Sequence, residues 1–458
     1  MGNDRLRQGL ACLGMGVGGW VTGLAMGFTS PALPKMMADP DFSITEEQGS
    51  WVGAILPAMA LLGSLVAGPM VDRLGRRASL ILLMVPFALS WVLVAMSPGI
   101  IGVILGRMIS GFCVGVQTVA GNVFLPEVIA VKNRNLQAIP AFMGCSGLLL
   151  TFWAGAHLTW RGLAWLGCIM CLPTVLFYLP LPETPYFLTS CGRTTESLAA
   201  LEWLRDSKLE AEKEQEELTK AKNSKSEEAN VTLSECFTPP NRWPVLVAIS
   251  LMITQQFTGI NAVIFYSSTI FKSAGAGIDD GTASMLLGAC NMIATLIGIG
   301  LLGTYERKYL LKRSNQGLLA SFVVLILFFS AKHAGGSWSA MTESMSFLSV
   351  VAVMTYVFTF AFGWGPIPWV FSGEGLPSRV RGMASSMTIA TSWGFAAVVT
   401  KTFSMLNESF GIHYTFTIYA VLTAISYTIL EPYIPETFQK SPIDMDKHYL
   451  EASTKKEK

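Results

Sequence analysis

Apolar residues fill twelve windows along this chain: 12–30, 49–71, 79–97, 100–124, 136–157, 163–181, 243–270, 281–304, 314–331, 345–373, 382–403 and 412–431. Each is close to the roughly 20 residues that an α-helix needs to cross the hydrocarbon core of a bilayer. In lipid, backbone polar groups must be satisfied within a helix or a closed barrel. The alternating pattern of barrel strands is absent, so each window predicts a spanning helix. The first window is too long for a cleaved signal segment, and Gly27-Phe28-Thr29-Ser30-Pro31 stands where a small-residue cleavage site would be. The predicted fold is an all-α polytopic membrane protein with twelve transmembrane helices.

Polar positions organise what lies between the windows. Residues 193–242 hold 8 Lys+Arg and 11 Asp+Glu, which is 19 of the 63 charges in the chain. Six windows precede this segment and six follow it. Arg107 is the only charge well inside a window, and Lys401 lies near the end of another. The loops on one side carry thirteen Lys and Arg, among them Arg73, Arg76, Arg77, Arg134, Arg307 and Arg381; those on the other side carry five. Basic loops stay in the cytoplasm. Both termini and the charged segment are therefore expected inside. The division reads as 1–182 and 243–434 for two six-helix bundles, 183–242 for a cytoplasmic linker and 435–458 for a cytoplasmic tail. Within the linker, Leu198, Leu201 and Leu204 beside Trp203 predict a short amphipathic helix. The Glu/Lys-rich stretch after it reads as a solvated, flexible connection.

Composition agrees with this picture. Of 458 residues only 14% are charged and 51% are hydrophobic, with a net charge of +1. A soluble domain carries about 25% charged residues. An ordinary soluble enzyme, a nucleic-acid binder and a disordered scaffold are excluded. The eight Cys show no disulfide framework, and Cys168-x-x-Cys171 lies on an apolar helix, where packing is the simpler reading. No window holds paired carboxylates, zinc-ligand spacing or a phosphate loop, so neither enzyme chemistry nor a cofactor or metal is expected. Asn407-Glu408-Ser409 is a glycosylation sequon facing outward. Asn230-Val231-Thr232 is another, facing inward.

The two sets of six echo each other. Glu127 lies seven residues before Arg134, and Glu374 lies seven before Arg381. Pro182-Glu183-Thr184 follows the sixth window, and Pro435-Glu436-Thr437 follows the twelfth. Recurrence at nearly one offset predicts a duplicated six-helix unit. Such a layout suits a transporter whose halves rock about a central site.

The loop Gly68-Pro69-Met70-Val71-Asp72-Arg73-Leu74-Gly75-Arg76-Arg77 resembles the signature loop of the major facilitator superfamily. Gln255-Gln256-Phe257-Thr258-Gly259-Ile260-Asn261, Gly365-Pro366-Ile367-Pro368-Trp369, Gly106-Arg107 and the two Pro-Glu-Thr sequences are similar to the sugar porter family. The resemblance covers residues 11 to 440. The start, Gly27 to Pro34, looks most like the insect branch of facilitated trehalose and hexose transporters.

The residues themselves leave two readings of the amides open. Buried amides can join helices, or they can meet sugar hydroxyls, which donate and accept as amides do. On one helix, Gln255 and Gly259 would share a face. The resemblance favours sugar contact. It implies substrate contacts at Gln255, Gln256, Asn261, Asn291, Trp369 and Trp393, with Tyr266 as an aromatic gate. Gly365, Pro366 and Pro368 would make span 10 a bending, gating helix. Arg73, Arg76, Arg77, Glu127, Arg134, Arg307, Glu374 and Arg381 are similar to the family's conformational salt-bridge set.

Proton-coupled members place an acid on span 1 near the span 4 arginine. Here span 1 has none, so the resemblance implies facilitative uniport of a sugar such as trehalose or a hexose, at the plasma membrane and as a monomer. A proton-coupled sugar or polyol symporter and a non-transporting sensor are the alternatives. Sensors of the family have long cytoplasmic tails, and this chain ends soon after span 12. Phe142, Ala361, Ser392 and Ala396 depart from polar residues of the family and bear on which sugar is taken.

Overall fold

The computed structural model describes residues 3–438 apart from 43, 131–132, 134–135, 137, 226–232, 240, 276–279 and 378–379, together with 440, 445 and 449. Arg134, the sequon at Asn230 and the side chain of Glu374 lie outside the described residues. Among those described there is no strand.

The first half contains α1 (Asn3–Gly27), α2 (Thr29–Ala38), α3 (Glu46–Leu74), α4 (Arg76–Met96), α5 (Ile100–Val128), α6 (Ala138–His157) and α7 (Trp160–Tyr178). Three helices cover its basic end: α8 (Pro185–Ser190), α9 (Thr194–Arg205) and α10 (Lys208–Lys225). The second half contains α11 (Arg242–Phe257), α12 (Ile260–Phe265), α13 (Ser267–Ala274), α14 (Asp280–Thr304), α15 (Arg307–Ala334), α16 (Gly336–Ser344), α17 (Phe347–Phe362), α18 (Ile367–Glu374), α19 (Arg381–Phe410) and α20 (Ile412–Leu430). Among the described residues, eleven helical stretches are long and apolar enough to cross a membrane. The remaining window, 382–403, is α19, whose Ser and Thr residues and Lys401 dilute its apolar character.

Burial is the reverse of a soluble protein's. Large apolar side chains such as Leu62, Leu89, Ile101, Leu172, Leu327 and Ile429 stand exposed along the helices. Lipid accounts for a rim that water would penalise at about 25 cal/mol per Å². The interior is also largely apolar, with Phe87, Trp91, Phe152 and Phe322 fully buried, but it holds the polar residues and the small ones that let helices approach. Between α3 and α5 the backbones nearly touch, and a methyl group added to Gly63 would collide with the carbonyl of Phe112. Small residues permit such close approach where no hydrophobic effect drives helices together.

Two expected elements differ. The Glu/Lys-rich stretch read as a flexible connection is the helix α10. Its Glu214 pairs with buried Arg205 at 2.7 Å, and its Gln215 donates to Thr189 of α8 at 3.1 Å. Span 7 is three helices. Gly259 sits at φ +80°, a left-handed conformation that glycine adopts without strain, and α11 ends just before it, at Phe257. Gln255 and Gly259 therefore do not share one continuous helical face. The predicted amphipathic helix is α9, which buries Ser197, Ala200, Leu201 and Leu204.

Candidate functional site

The break in span 7 turns the amides toward one another. Asn261 Nδ2 donates to Gln256 Oε1 at 2.5 Å. Gln256 Nε2 donates to Ser392 Oγ at 2.9 Å and to Gln255 Oε1 at 3.3 Å. Gln255 Nε2 donates to the carbonyls of Trp364 at 2.7 Å and Gly365 at 3.0 Å. All three amides are buried. A buried polar group without a partner costs about 1–3 kcal/mol; this chain of donors satisfies the amides, ties span 7 to span 10, and ties span 7 to span 11.

The acceptors exist because span 10 is broken as expected. Its helix stops at Phe362, and Gly363 and Gly365 both donate to the carbonyl of Phe360. Pro366 supplies no N–H and α18 starts after it. The freed carbonyls of Trp364 and Gly365 face Gln255. Trp364 is fully buried, and its indole N–H donates to Asn315 Oδ1 at 3.2 Å. Sequence reasoning missed Trp364, although it lies between the two glycines of the break. Ser392, read as a departure, is the hydroxyl that receives Gln256.

Two further buried donors have no hydrogen-bond partner among the described residues: the hydroxyl of Tyr266 and the indole nitrogen of Trp393. Tyr266 ends α12, stacks on Phe403 at 5.3 Å, and lies over Gly53 of the first half. Trp393 follows Ser392 on α19. Trp369 is half-buried on α18. Asn291 stands apart from the amide chain, and its Nδ2 meets the sulfur of Cys145 across the boundary between the halves at 3.5 Å.

The first half faces this site with different chemistry. Arg107 is fully buried. Its guanidinium donates to the carbonyl of Ala25 at 2.6 Å, to that of Val52 at 3.3 Å and to the hydroxyl of Thr29 at 3.0 Å. Phe28 lies beneath it at 5.6 Å. A charged residue at the centre of a bilayer costs about 2.5–3.5 kcal/mol or more. Here three oxygens and a ring face offset that cost, and no described carboxylate is among its partners. Gln117, another residue that sequence reasoning missed, is buried on α5 with its amide oxygen unpartnered.

Polar contacts between the halves gather at the end opposite the basic loops. Ser30 of α2 bonds Ser267 at 2.7 Å and Ser268 at 3.0 Å on α13. Lys401 of α19 donates to Ser50 at 2.6 Å and lies 4.4 Å from the ring centre of Trp51. On that side Trp160 donates to Asp39 at 2.9 Å. That bond, then the Asp41 N–H and Arg161, hold the Asp39 carboxyl below its ordinary value.

The basic end repeats one construction in each half. Glu183 accepts the N–H groups of Arg76 and Arg77 at 3.0 Å, at the start of α4. Glu436 accepts those of Arg307 at 3.1 Å and Lys308 at 3.0 Å, at the start of α15. A carboxylate at a helix N-terminus meets both free donors and the positive end of the dipole. Arg76 reaches the carbonyl of Val71 and lies 5.4 Å from Phe187; Arg307 reaches that of Leu302 and lies 5.4 Å from Phe438. Arg76 also forms a two-pronged pair with Glu127 at 3.0 and 3.1 Å. Arg77 donates to the carbonyls of Tyr178 and Leu179, and Arg381 to that of Leu376. Arg73 is exposed. Asn407 lies in the last turn of α19, where its carbonyl receives the N–H of Gly411.

Comparison with known proteins places this architecture. The family model described as Sugar (and other) transporter matches residues 10–449. The facilitated trehalose transporter Tret1 of Aedes aegypti is 36% identical over 447 residues, 97% of this chain and 55% of that protein. Tret1 of Anopheles gambiae is 36% identical over 97% of this chain and 56% of its own length. Tret1 of Culex quinquefasciatus is 35% identical over 96% of this chain and 85% of its own. The chain thus spans little more than half the length of the first two relatives. Among solved structures, the major facilitator proton:xylose symporter XylE bound to 6-bromo-6-deoxy-D-glucose superposes with a TM-score of 0.80 at 20% identity. That match covers 98% of this chain and 100% of the other and speaks to the fold. With the duplicated basic end, the broken seventh and tenth spans and a family match over nearly its whole length, the chain belongs to the sugar (and other) transporter family of the major facilitator fold.

Proposed function

We propose that this protein carries a sugar, trehalose or a hexose, down its gradient by alternating access between two six-helix halves. The observation that carries the reading is the amide chain Asn261–Gln256–Gln255 together with two unpartnered buried donors, Tyr266 and Trp393. Sugar hydroxyls both donate and accept, so one molecule can complete both donors and exchange with the Ser392 bond. Trp369 and Trp393 offer apolar faces to the ring C–H groups. Asn291 would reach the substrate once its bond across the boundary opens.

Arg107 supports uniport. Its partners are backbone carbonyls and Thr29, so the site lacks the acid that takes up and releases a proton in symporters of the resembling family. The excess of Lys and Arg supports a cytoplasmic basic end with both termini inside. In that orientation the Ser30 and Lys401 contacts close the outer side. Glu127, Glu374 and the arginines at positions 73, 76, 77, 134, 307 and 381 then bias the exchange between states. The division at 182, 242 and 434 follows from the same arrangement, and the plasma membrane and a monomeric carrier complete the reading.

The test is uptake of radiolabelled trehalose and glucose in oocytes, with and without a pH gradient, beside Gln255→Ala. Saturable uptake that ignores pH and is lost in the variant is expected. Uptake that follows the proton gradient would make this a symporter. No uptake of either sugar despite surface expression would point to another substrate or to a sensor.

A further inference from the structure

At the basic end of the second half, α15 and α20 part to leave a cavity of about 150 Å³. That is about ten times what one water needs. Leu311 and Ile434, both buried, form its floor. Two carboxylates, Glu306 and Glu431, and two ammonium groups, Lys308 and Lys312, line its sides with Tyr309 and Tyr427. The four charges cancel. Lys312 and Glu431 bond each other at 3.2 Å while remaining half-exposed, so the pair can open without leaving a buried charge.

This wall contains donors for an anion and acceptors for a cation. An anion alone would meet two carboxylates. A quaternary ammonium has no N–H to donate to them. A primary ammonium linked to a phosphate satisfies both sets. The surroundings indicate how such a group arrives. The cavity lies where α15 begins and α20 ends, at the limits of two apolar spans. Exposed Tyr305, Tyr309 and Tyr433 and half-exposed Trp243 surround that level. Tyr305 stacks on Tyr309, and Tyr433 meets Trp243 edge to face. Tyr and Trp collect where lipid headgroups lie.

We infer that the cavity between α15 and α20 binds the phosphoethanolamine headgroup of a membrane phospholipid, its phosphate at Lys308 and Lys312 and its ammonium at Glu306 and Glu431. Occupancy bridges the start of span 9 and the end of span 12, so it fixes the second half at its basic end. The inference does not depend on what is transported.

The test uses the full chain in nanodiscs of phosphatidylcholine, alone or mixed with phosphatidylethanolamine or phosphatidylglycerol. The expected result is a melting temperature raised by several degrees by phosphatidylethanolamine alone. The gain should disappear in Glu306→Gln/Glu431→Gln and fall in Lys312→Gln, while the melting temperature in detergent without lipid stays near wild type. Native mass spectrometry should show a retained phosphatidylethanolamine adduct on wild type only. Equal stabilisation by all three lipids would overturn the inference, as would a preference unaltered in the double variant. A shift with soluble glycerophosphoethanolamine, without any lipid preference, would reassign the site to a soluble metabolite.

Discussion

The two halves are alike at the basic end and unlike in the middle. Arg76 and Arg307 share three features: a glutamate on the adjacent N–H groups, a carbonyl five residues back, and a phenylalanine ring at 5.4 Å. Midway across the membrane the likeness ends. The second half presents a chain of amides joined to broken helices. The first presents Arg107, held by carbonyls and a hydroxyl. The shared end is scaffold, which fixes where helices start. In the proposed reading the divergent centre meets the substrate, and most of its contacts come from the second half.

The largest effect should come from the amide that joins the broken spans. Gln255→Ala leaves the carbonyls of Trp364 and Gly365 unpartnered, at about 1–3 kcal/mol each. Uptake at low sugar concentration should fall at least about tenfold with surface expression retained; an unchanged rate would remove Gln255 from the site. Next is the first-half centre. Thr29→Asp gives Arg107 the carboxylate it lacks. Uptake that ignores a proton gradient in the wild type should change severalfold with that gradient in the variant. A flat profile in both would separate Arg107 from coupling.

Smaller effects should come from the scaffold. Glu183→Gln and Glu436→Gln each weaken a charged cap, worth up to about 2 kcal/mol when partly buried. Each should lower the melting temperature by about 2–4 °C per kcal/mol lost. Similar losses in the two variants would support equivalent roles; a silent Glu436→Gln would break the symmetry. The smallest change is Ser392→Ala. Gln256 keeps its bond to Gln255, so a two- to fivefold rise in KM is expected from a lost neutral hydrogen bond of about 0.5–1 kcal/mol. Loss of transport altogether would make Ser392 a direct substrate contact.

Much of the fold was legible because lipid imposes a simple rule. A spanning segment must be long, apolar and helical, so the windows map onto the helices, and the repeat appears as recurring Glu, Arg and Pro-Glu-Thr positions. The amides Gln255, Gln256 and Asn261 stood out in an apolar span, but the chain of bonds that joins them did not. Helical spacing places Gln255 and Gly259 on one face, yet α11 ends at Phe257, before the left-handed Gly259. Trp364 has no polar pattern to announce it. Thr29 looks like an ordinary span residue until α1 and α5 pack and put its hydroxyl 3.0 Å from Arg107. The α10 helix was obscured by its charge, because contacts with α8 and α9 stabilise it where its composition suggested a linker.

The glutamate caps also bear on how the chain is built. Glu183 lies 107 residues beyond the Arg76 N–H that it accepts, and Glu436 lies 129 beyond that of Arg307. At roughly 5–20 residues per second of synthesis, the start of span 3 waits on the order of 5–20 s for its partner. Span 9 waits slightly longer for its own. Until then each helix enters the bilayer with its first amides facing water. When the sixth helix of a half has emerged, the next few residues of the nascent chain close the bundle. Each half therefore receives this helix cap only after its sixth span has been made.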